Sequence, residues 1–539
     1  METTSIPTPS TAERPPAIAP PPRPWWDPVR FARRSIFPAL LQAAALGVLL
    51  FMIVAGWGLH GVEGVQVEGA LMYTNIATFG FWVIWFMALV LLLPAIGRLW
   101  CTVCPLGWCN DLAARWGLKR AWPKQLQNLV LMGLLLLGLT LGAEQFSLNR
   151  YPDQTAVLLA AVLLAATLAG LVFRGRVFCR YLCPVGGMIG LYTRVAPVEI
   201  GSANPEVCRR CETKACYFGA TKRYRLALAG RGFDFPVRRP GCPAFIYPPE
   251  AAANAACLMC TQCFKNCPYD NLRWGTRRPL SGLWLGRMRD RTEALLVVVL
   301  TGIVFYRLAR FYSPLRAAVE WPATFVALQL PFIGPVGYKG LKLFTGFLLW
   351  PLLFYLGLAL LARLASETRL TEIAAGEQET AMSAIDAEGI DEARRDEARR
   401  WILTRQTLWG YLAAYGVAFL PLLAGGYAAF SLIKLNEKLG YLPLVLSDPA
   451  GIRNYLAMSQ IYVLISPESL VPLALIRWGT IAAVASGAAA SFWAMGRVGA
   501  AVYGAGSRPA TRGAVVFRLG VVVLAAVMLL CLKRWLFRG

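Results

Sequence analysis

Apolar stretches of about 20 residues recur along this chain, each long enough to cross a ~30 Å hydrocarbon layer as a helix. They fall at residues 36–57, 76–96, 127–145, 154–173, 292–312, 341–363, 407–433, 469–493 and 514–532. Backbone polar groups in hydrocarbon must be satisfied within the protein, which leaves such a chain few folds. The expectation is a mostly α, polytopic helical membrane protein of about nine spans. A hydrophobic content of 57% over 539 residues agrees, being well above that of soluble globules. Residues 321–337 are also apolar, but proline and glycine interrupt them too often for a clean span.

Basic residues are distributed unevenly over this pattern. Arg14, Arg23, Arg30, Arg33 and Arg34 precede the first stretch, and residues 58–75 contain no Lys or Arg. Arg98, Arg115, Lys119, Arg120 and Lys124 follow the second, and residues 174–291 are strongly basic. Lysine and arginine concentrate in cytoplasmic loops. The N-terminus, residues 98–125 and the segment 174–291 are therefore expected on the cytoplasmic side of a cell inner membrane. The net charge of +24 thus reflects topology in a lipid bilayer; no nucleic-acid partner is expected. Nine spans leave the C-terminus outside, where Lys533, Arg534 and Arg538 fit this rule poorly.

The same pattern divides the chain. Residues 1–35, rich in Pro, Ser and Thr near their start, read as a disordered cytoplasmic tail. Residues 36–194 form a four-span module, 195–280 a soluble insert, and 281–363 a further membrane segment. Residues 364–405 are charged, with Asp391–Arg395 and Asp396–Arg400 at the helical i,i+4 spacing, and read as a solvated cytoplasmic helix. Residues 406–539 complete the membrane part.

Eight of the fourteen cysteines lie in the insert. Cys257, Cys260, Cys263 and Cys267, followed by Pro268, make the C-x2-C-x2-C-x3-C-P run of a bacterial-type ferredoxin. Cys208, Cys211 and Cys216, with the distant Cys242-Pro243, make a looser copy. A cubane [4Fe–4S] cluster needs four converging thiolates, and two-residue gaps let a looping backbone point three sulfurs inward. Structural zinc sites instead favour paired C-x2–4-C units. Two [4Fe–4S] clusters in a small α+β insert are expected. Their ligation is either crossed (208, 211, 216 with 267; 257, 260, 263 with 242) or sequential. Cytosol also suits reduced thiolates.

A further repeat joins the helical hairpins. Gly97-Arg98-Leu99-Trp100-Cys101 continues to Cys104-Pro105-Leu106-Gly107. Gly175-Arg176-Val177-Phe178-Cys179 continues to Cys183-Pro184-Val185-Gly186. Both copies follow an even-numbered span, so both cysteine pairs are delivered to one face. Cys101, Cys104, Cys179 and Cys183 could hold a third centre at the membrane face, form a redox dithiol, or be structural. Cys109 and Cys531 lack a partner pattern and read as plain buried residues. His60 is the only histidine and no C-x-x-C-H motif is present, so no haem is expected.

Residues 36–280 resemble the membrane polyferredoxins, the group of NapH, the C-terminal half of NosR, and CcoG (FixG). The resemblance rests on the four spans, the two Gly-Arg-x-aromatic-Cys…Cys-Pro motifs and the two-cluster insert. It implies [4Fe–4S] clusters on the cytoplasmic side that exchange electrons with quinones or partner redox proteins. The protein would then be an electron carrier or a quinol-oxidising subunit of a respiratory system. The first Cys-Pro motif departs from the group, with two intervening residues where three are common. Residues beyond 292 have no counterpart in it. A redox-dependent metal-cofactor assembly or regulatory role, as in the CcoG branch, is the alternative, and a transporter the third reading. Segment 313–340, rich in proline and glycine, reads as an outer loop or as a broken helix lining a quinone cavity.

Overall fold

The computed structural model describes residues 28–33, 37–60, 70–228, 231–250, 255–284, 291–330, 332–366, 407–460 and 471–537. The N-terminal tail up to residue 27 and residues 367–406 of the charged segment lie outside the described residues. The principal helices are α1 (Ala39–Gly56), α2 (Ile76–Ile96), α3 (Pro105–Trp116), α4 (Val130–Gln145), α5 (Pro152–Val172) and α6 (Pro184–Tyr192). They continue as α7 (Thr292–Ala309), α8 (Ser313–Gln329), α9 (Pro335–Ser366), α10 (Leu408–Ser447), α11 (Leu473–Tyr503) and α12 (Arg508–Lys533).

Among the described residues, eight of these helices are long and apolar enough to cross a membrane: α1, α2, α5, α7 and α9 to α12. The ninth expected span, α4, reaches only 16 residues. Its polar approach folds into a 3-10 turn at Lys124–Leu126, where Asn128 Nδ2 donates to the Gln125 carbonyl at 2.9 Å. Segment 313–340 is not a loop. Pro314 occupies the first turn of α8, where its missing N–H costs nothing, and the helix continues through Pro322.

One contiguous apolar core runs from Leu89 and Leu93 of α2 through α6, α7 and α10 to Met528 and Leu532 of α12. The two halves of the chain therefore pack as one body. α10 is the most enclosed long helix, with 83% of its most apolar window buried. Backbones approach closely where glycine allows it: a Cβ at Gly302 of α7 would strike the Phe347 carbonyl of α9. Leu40, Val48, Phe51 and Val54 of α1 face outward, as do Leu475 and Trp478 of α11. An apolar surface this extensive is compatible with a membrane protein.

Among the described residues the insert contains four strands: β1 (Val198–Ser202), β2 (Gly219–Leu228), β3 (Arg231–Pro240) and β4 (Leu272–Thr276). β1 pairs antiparallel with β4, Val198 opposite Thr276 and Ser202 opposite Leu272, which closes the insert where the chain leaves and rejoins the helices. β2 and β3 form a hairpin with Gly219 opposite Pro240. At its base the Cys242 N–H donates to the Tyr217 carbonyl at 3.1 Å. The long sequence gap between Cys216 and Cys242 is thus a hairpin projecting from the cysteine region, and its two ends meet.

Candidate iron–sulfur centres

The insert cysteines are placed by short elements. Cys208 lies on the helix Pro205–Arg209, whose start is capped by Asn204 Oδ1 accepting from the Glu206 N–H. Cys216 lies on Ala215–Phe218, and Cys263 on Gln262–Asn266, of which Cys267 is the C-cap. The last two helices pack together.

The thiols then fall into two groups by their mutual electrostatics. Burial pushes Cys216 up to about 12, and Cys267, Cys211 and Cys208 add to the rise. Cys208 is raised by burial first, then by Cys267 and Cys211. Burial likewise pushes Cys260 up to about 12, with Cys242 and Cys257 adding. Cys257 rises to about 11 through burial and Cys242, and Cys263 rises through burial, Cys260, Cys257 and Cys242. The structure therefore brings Cys208, Cys211, Cys216 and Cys267 together as one group, and Cys242, Cys257, Cys260 and Cys263 as another. Cys263 also feels Cys216, so the groups adjoin.

Backbone N–H groups surround these sulfurs. Met259 donates to Cys257, Gln262 to Cys260, and Tyr269 and Asn271 to Cys267. The Ile246 N–H reaches Cys242 Sγ at 3.4 Å, and Asn271 Nδ2 reaches Cys208 Sγ at 3.2 Å. To present these donors the chain holds Met259 (φ 49°) and Thr261 (φ 64°) in the left-handed region, which non-glycine residues adopt at a cost. Four thiols with N–H donors aimed at sulfur fit a [4Fe–4S] cluster, whose potential such hydrogen bonds tune. Among the described residues no three His, Cys, Asp or Glu side chains form a set able to hold a single metal ion. A tetrahedral zinc ion with bonds of about 2.3 Å would draw its thiolates much closer together than a cubane does.

The two hairpin motifs build matching corners. Gly97 (φ 56°) ends α2, and Gly175 (φ 73°) follows α5, each turning the chain in a region closed to most side chains. Cys104 caps α3 and Cys183 caps α6, with Pro105 and Pro184 in the first helical turn. Cys101 lies on the short α-helix Leu99–Val103, and Cys179 on the π-helical turn Phe178–Leu182. The wider π turn absorbs the extra residue of the second copy, so the unequal spacings reach the same cap geometry.

These four cysteines also converge. Cys179 feels Cys104, Cys183 and Cys101; Cys183 feels Cys104 and Cys101; Cys104 feels Cys101. Burial raises Cys104 to about 11 and Cys183 to about 12, and it raises Cys179 as well. The Gly186 N–H donates to Cys183 Sγ at 3.3 Å. Cys531 is buried as expected, whereas Cys109 is only half-buried, because it sits on the outer part of α3.

Both motifs dock on the group formed by Cys242, Cys257, Cys260 and Cys263. Thr102 Oγ1, beside Cys101, donates to the Met259 carbonyl at 2.8 Å. The Arg176 N–H donates to the Pro243 carbonyl at 2.8 Å, and Arg180 Nη1 donates to the Ala244 carbonyl. Arg176 is held by Asp111 of α3, through Nε at 2.8 Å and Nη2 at 2.5 Å. Sequence reasoning missed Asn271, Tyr247 (whose hydroxyl donates to the Cys208 carbonyl at 2.6 Å), Asp111 and the roles of Arg98 and Arg176. For the arginines a signal existed, since each follows the glycine in its copy of the repeat.

The described fold is mostly helical, and it gathers twelve cysteines into neighbouring groups. Two segments, residues 78–124 and 156–201, match the family model of a 4Fe-4S binding domain. They run from the second helix of each hairpin through its Cys-Pro corner and carry Cys101, Cys104, Cys179 and Cys183; the insert cysteines lie beyond them. No curated protein and no solved structure matches the chain. The match supports an iron–sulfur, ferredoxin-type protein.

Proposed function

We propose that this chain is a membrane-bound electron-transfer protein of the inner membrane, relaying electrons between the quinone pool and a partner redox protein. Cys208, Cys211, Cys216 and Cys267 would hold one [4Fe–4S] cluster, and Cys242, Cys257, Cys260 and Cys263 the other. The observation that carries this reading is the crossed grouping itself: each set combines three cysteines of one run with the Pro-linked cysteine of the other, as in two-cluster ferredoxins. Bound clusters of this kind supply one-electron redox chemistry. The chain's own contribution is to hold the thiolates, aim N–H donors at them, and bury them.

The membrane side of the relay has support in α7, α8, α9 and α12. They line a half-open apolar pocket of about 270 Å³, formed by Phe305, Leu315, Val319, Trp350, Phe354 and Val527, among others. A space so apolar suits the ring and prenyl tail of a quinone. Its one flanking polar pair is Thr301 and Tyr355, whose hydroxyls lie 2.9 Å apart. The test is anaerobic incubation of proteoliposomes with a quinol, followed by EPR. Reduction of the clusters, lost when Val319→Trp fills the cavity, is expected. Clusters that dithionite reduces and no quinol does would contradict the relay.

A further inference from the structure

We infer that Cys101, Cys104, Cys179 and Cys183 hold a third [4Fe–4S] cluster, shared between the two hairpins, and that Arg98 and Arg176 are its buried counter-cations. This rests on reading the chain as an iron–sulfur protein and adds a site to it.

The first observation is convergence from two distant segments. The four thiols come from the exits of α2 and α5 and the starts of α3 and α6, and each is within electrostatic reach of the others. The second is that the space around them is kept open by glycine. A Cβ at Gly107 would sit 3.1 Å from Arg176 Nη1 and 3.6 Å from Cys179 Sγ, and one at Gly186 would sit 3.4 Å from Cys183 Sγ. A Cβ at Gly190 would press on Arg98 Nη2. Glycine thus recurs in each Cys-Pro-x-Gly copy, where a Cβ would press on the Arg176 guanidinium in one copy and on the Cys179 carbonyl in the other and would touch sulfur at ordinary contact distance in both.

The third observation is charge. Arg98 and Arg176 are 3% and 2% exposed. Among the described residues, Arg98 Nε and Nη1 and Arg176 Nη1 have no hydrogen-bond acceptor. A buried cation with idle donors is costly unless an anion faces it. Arg98 lies near Cys183 and Cys257, and Arg176 near Cys104, Cys179 and Cys260. The idle donors therefore face the space between the membrane-side cysteines and the neighbouring insert group. A cubane with four thiolates is net anionic and its sulfurs accept hydrogen bonds, so it supplies an anion to Arg98 and an acceptor to Nη1 of Arg176, whose other donors Asp111 already meets. A single metal ion fits less well, since no three ligating side chains there form a single-ion set. The segments that match the 4Fe-4S binding family model are the ones that carry these four cysteines. Arg98 and Arg176, by bridging two groups, act as positioning residues that raise the reduction potential of the centre they face.

The experiment is anaerobic purification of the full chain with iron and sulfide analysis and redox-titrated EPR. About twelve irons per chain are expected, four for each cubane. Cys104→Ser with Cys183→Ser should remove about four irons and one EPR signal, leaving the other two. Cys179→Ser alone serves if the double variant fails to accumulate. Arg98→Gln should keep the iron and shift one midpoint potential downward, and Arg98→Lys should restore it. About eight irons in the wild type, all retained by both cysteine variants, would overturn this inference and leave the two-cluster relay intact. A wild type without iron would overturn both. Unchanged potentials in Arg98→Gln would overturn the counter-cation role.

Discussion

Each cysteine of the insert and of the two Cys-Pro corners is answered by something specific: an N–H donor, a neighbouring cysteine, or an arginine. Asn271 shows how far this goes. Its Nδ2 donates both to the Asn204 carbonyl and to Cys208 Sγ, and its own N–H serves Cys267. One residue, through its side chain and its backbone N–H, thus ties the first cysteine of one run to the last of the other. Crossed ligation makes a clear prediction: Cys208→Ser and Cys267→Ser should abolish the same EPR signal, and Cys242→Ser and Cys257→Ser the other. Sequential ligation would pair Cys208 with Cys242 instead. Gly175→Ala is also informative, because Gly175 has φ 73° and a Cβ there would meet the Pro243 carbonyl. A loss of roughly 1–3 kcal/mol is expected, read as a lower Tm in detergent, with weakened retention of the cluster at Cys242. At this scale spacing alone singled out the eight insert cysteines as candidate ligands. Their grouping was not legible, because both arrangements use the same eight residues and differ only in where Cys242 and Cys267 lie in space.

Among the elements, apolar length predicted the helices well and their ends less well. α4 falls short because Gln125, Gln127 and Asn128 find partners in a turn before the helix begins. α8 was hidden by counting prolines without regard to position, since Pro314 sits where a helix tolerates it. The π turn at Phe178–Leu182 reconciles two cysteine spacings that looked unequal in the sequence. Packing between elements yields a paired test. Gly302→Leu drives a side chain into the Phe347 backbone of α9 and should destabilise by about 1–3 kcal/mol or more through overpacking. Gly357→Leu, with nothing within 4 Å of its Cβ, should leave Tm nearly unchanged. Equal effects would mean that α7 and α9 do not approach as described.

For the whole molecule, the hydropathy pattern announced helices but not their arrangement. A helix apolar all round, such as α10, carries no stripe to say which neighbours it meets, so its place in the core could not be read. The common face of the two hairpins was legible, from charge and from the repeat. The structure ties that face together: the Arg120 N–H donates to the Val172 carbonyl at 2.9 Å and the Arg174 N–H to the Arg120 carbonyl at 3.0 Å. Sidedness is a prediction. Alkaline phosphatase fused after residue 60 should be active and fused after residue 128 inactive; the reverse would place the cysteine groups outside.

The central claim is that cysteines from separate segments build neighbouring iron–sulfur centres. Cys263 lies near Cys216, and Cys257 near Cys101, so the groups follow one another as a series. The most direct measurement is EPR of the anaerobically purified, dithionite-reduced full chain. Signals of reduced [4Fe–4S] clusters, broadened by magnetic coupling between neighbours, are predicted. Zinc in place of iron, or sharp signals from clusters that do not interact, would contradict it.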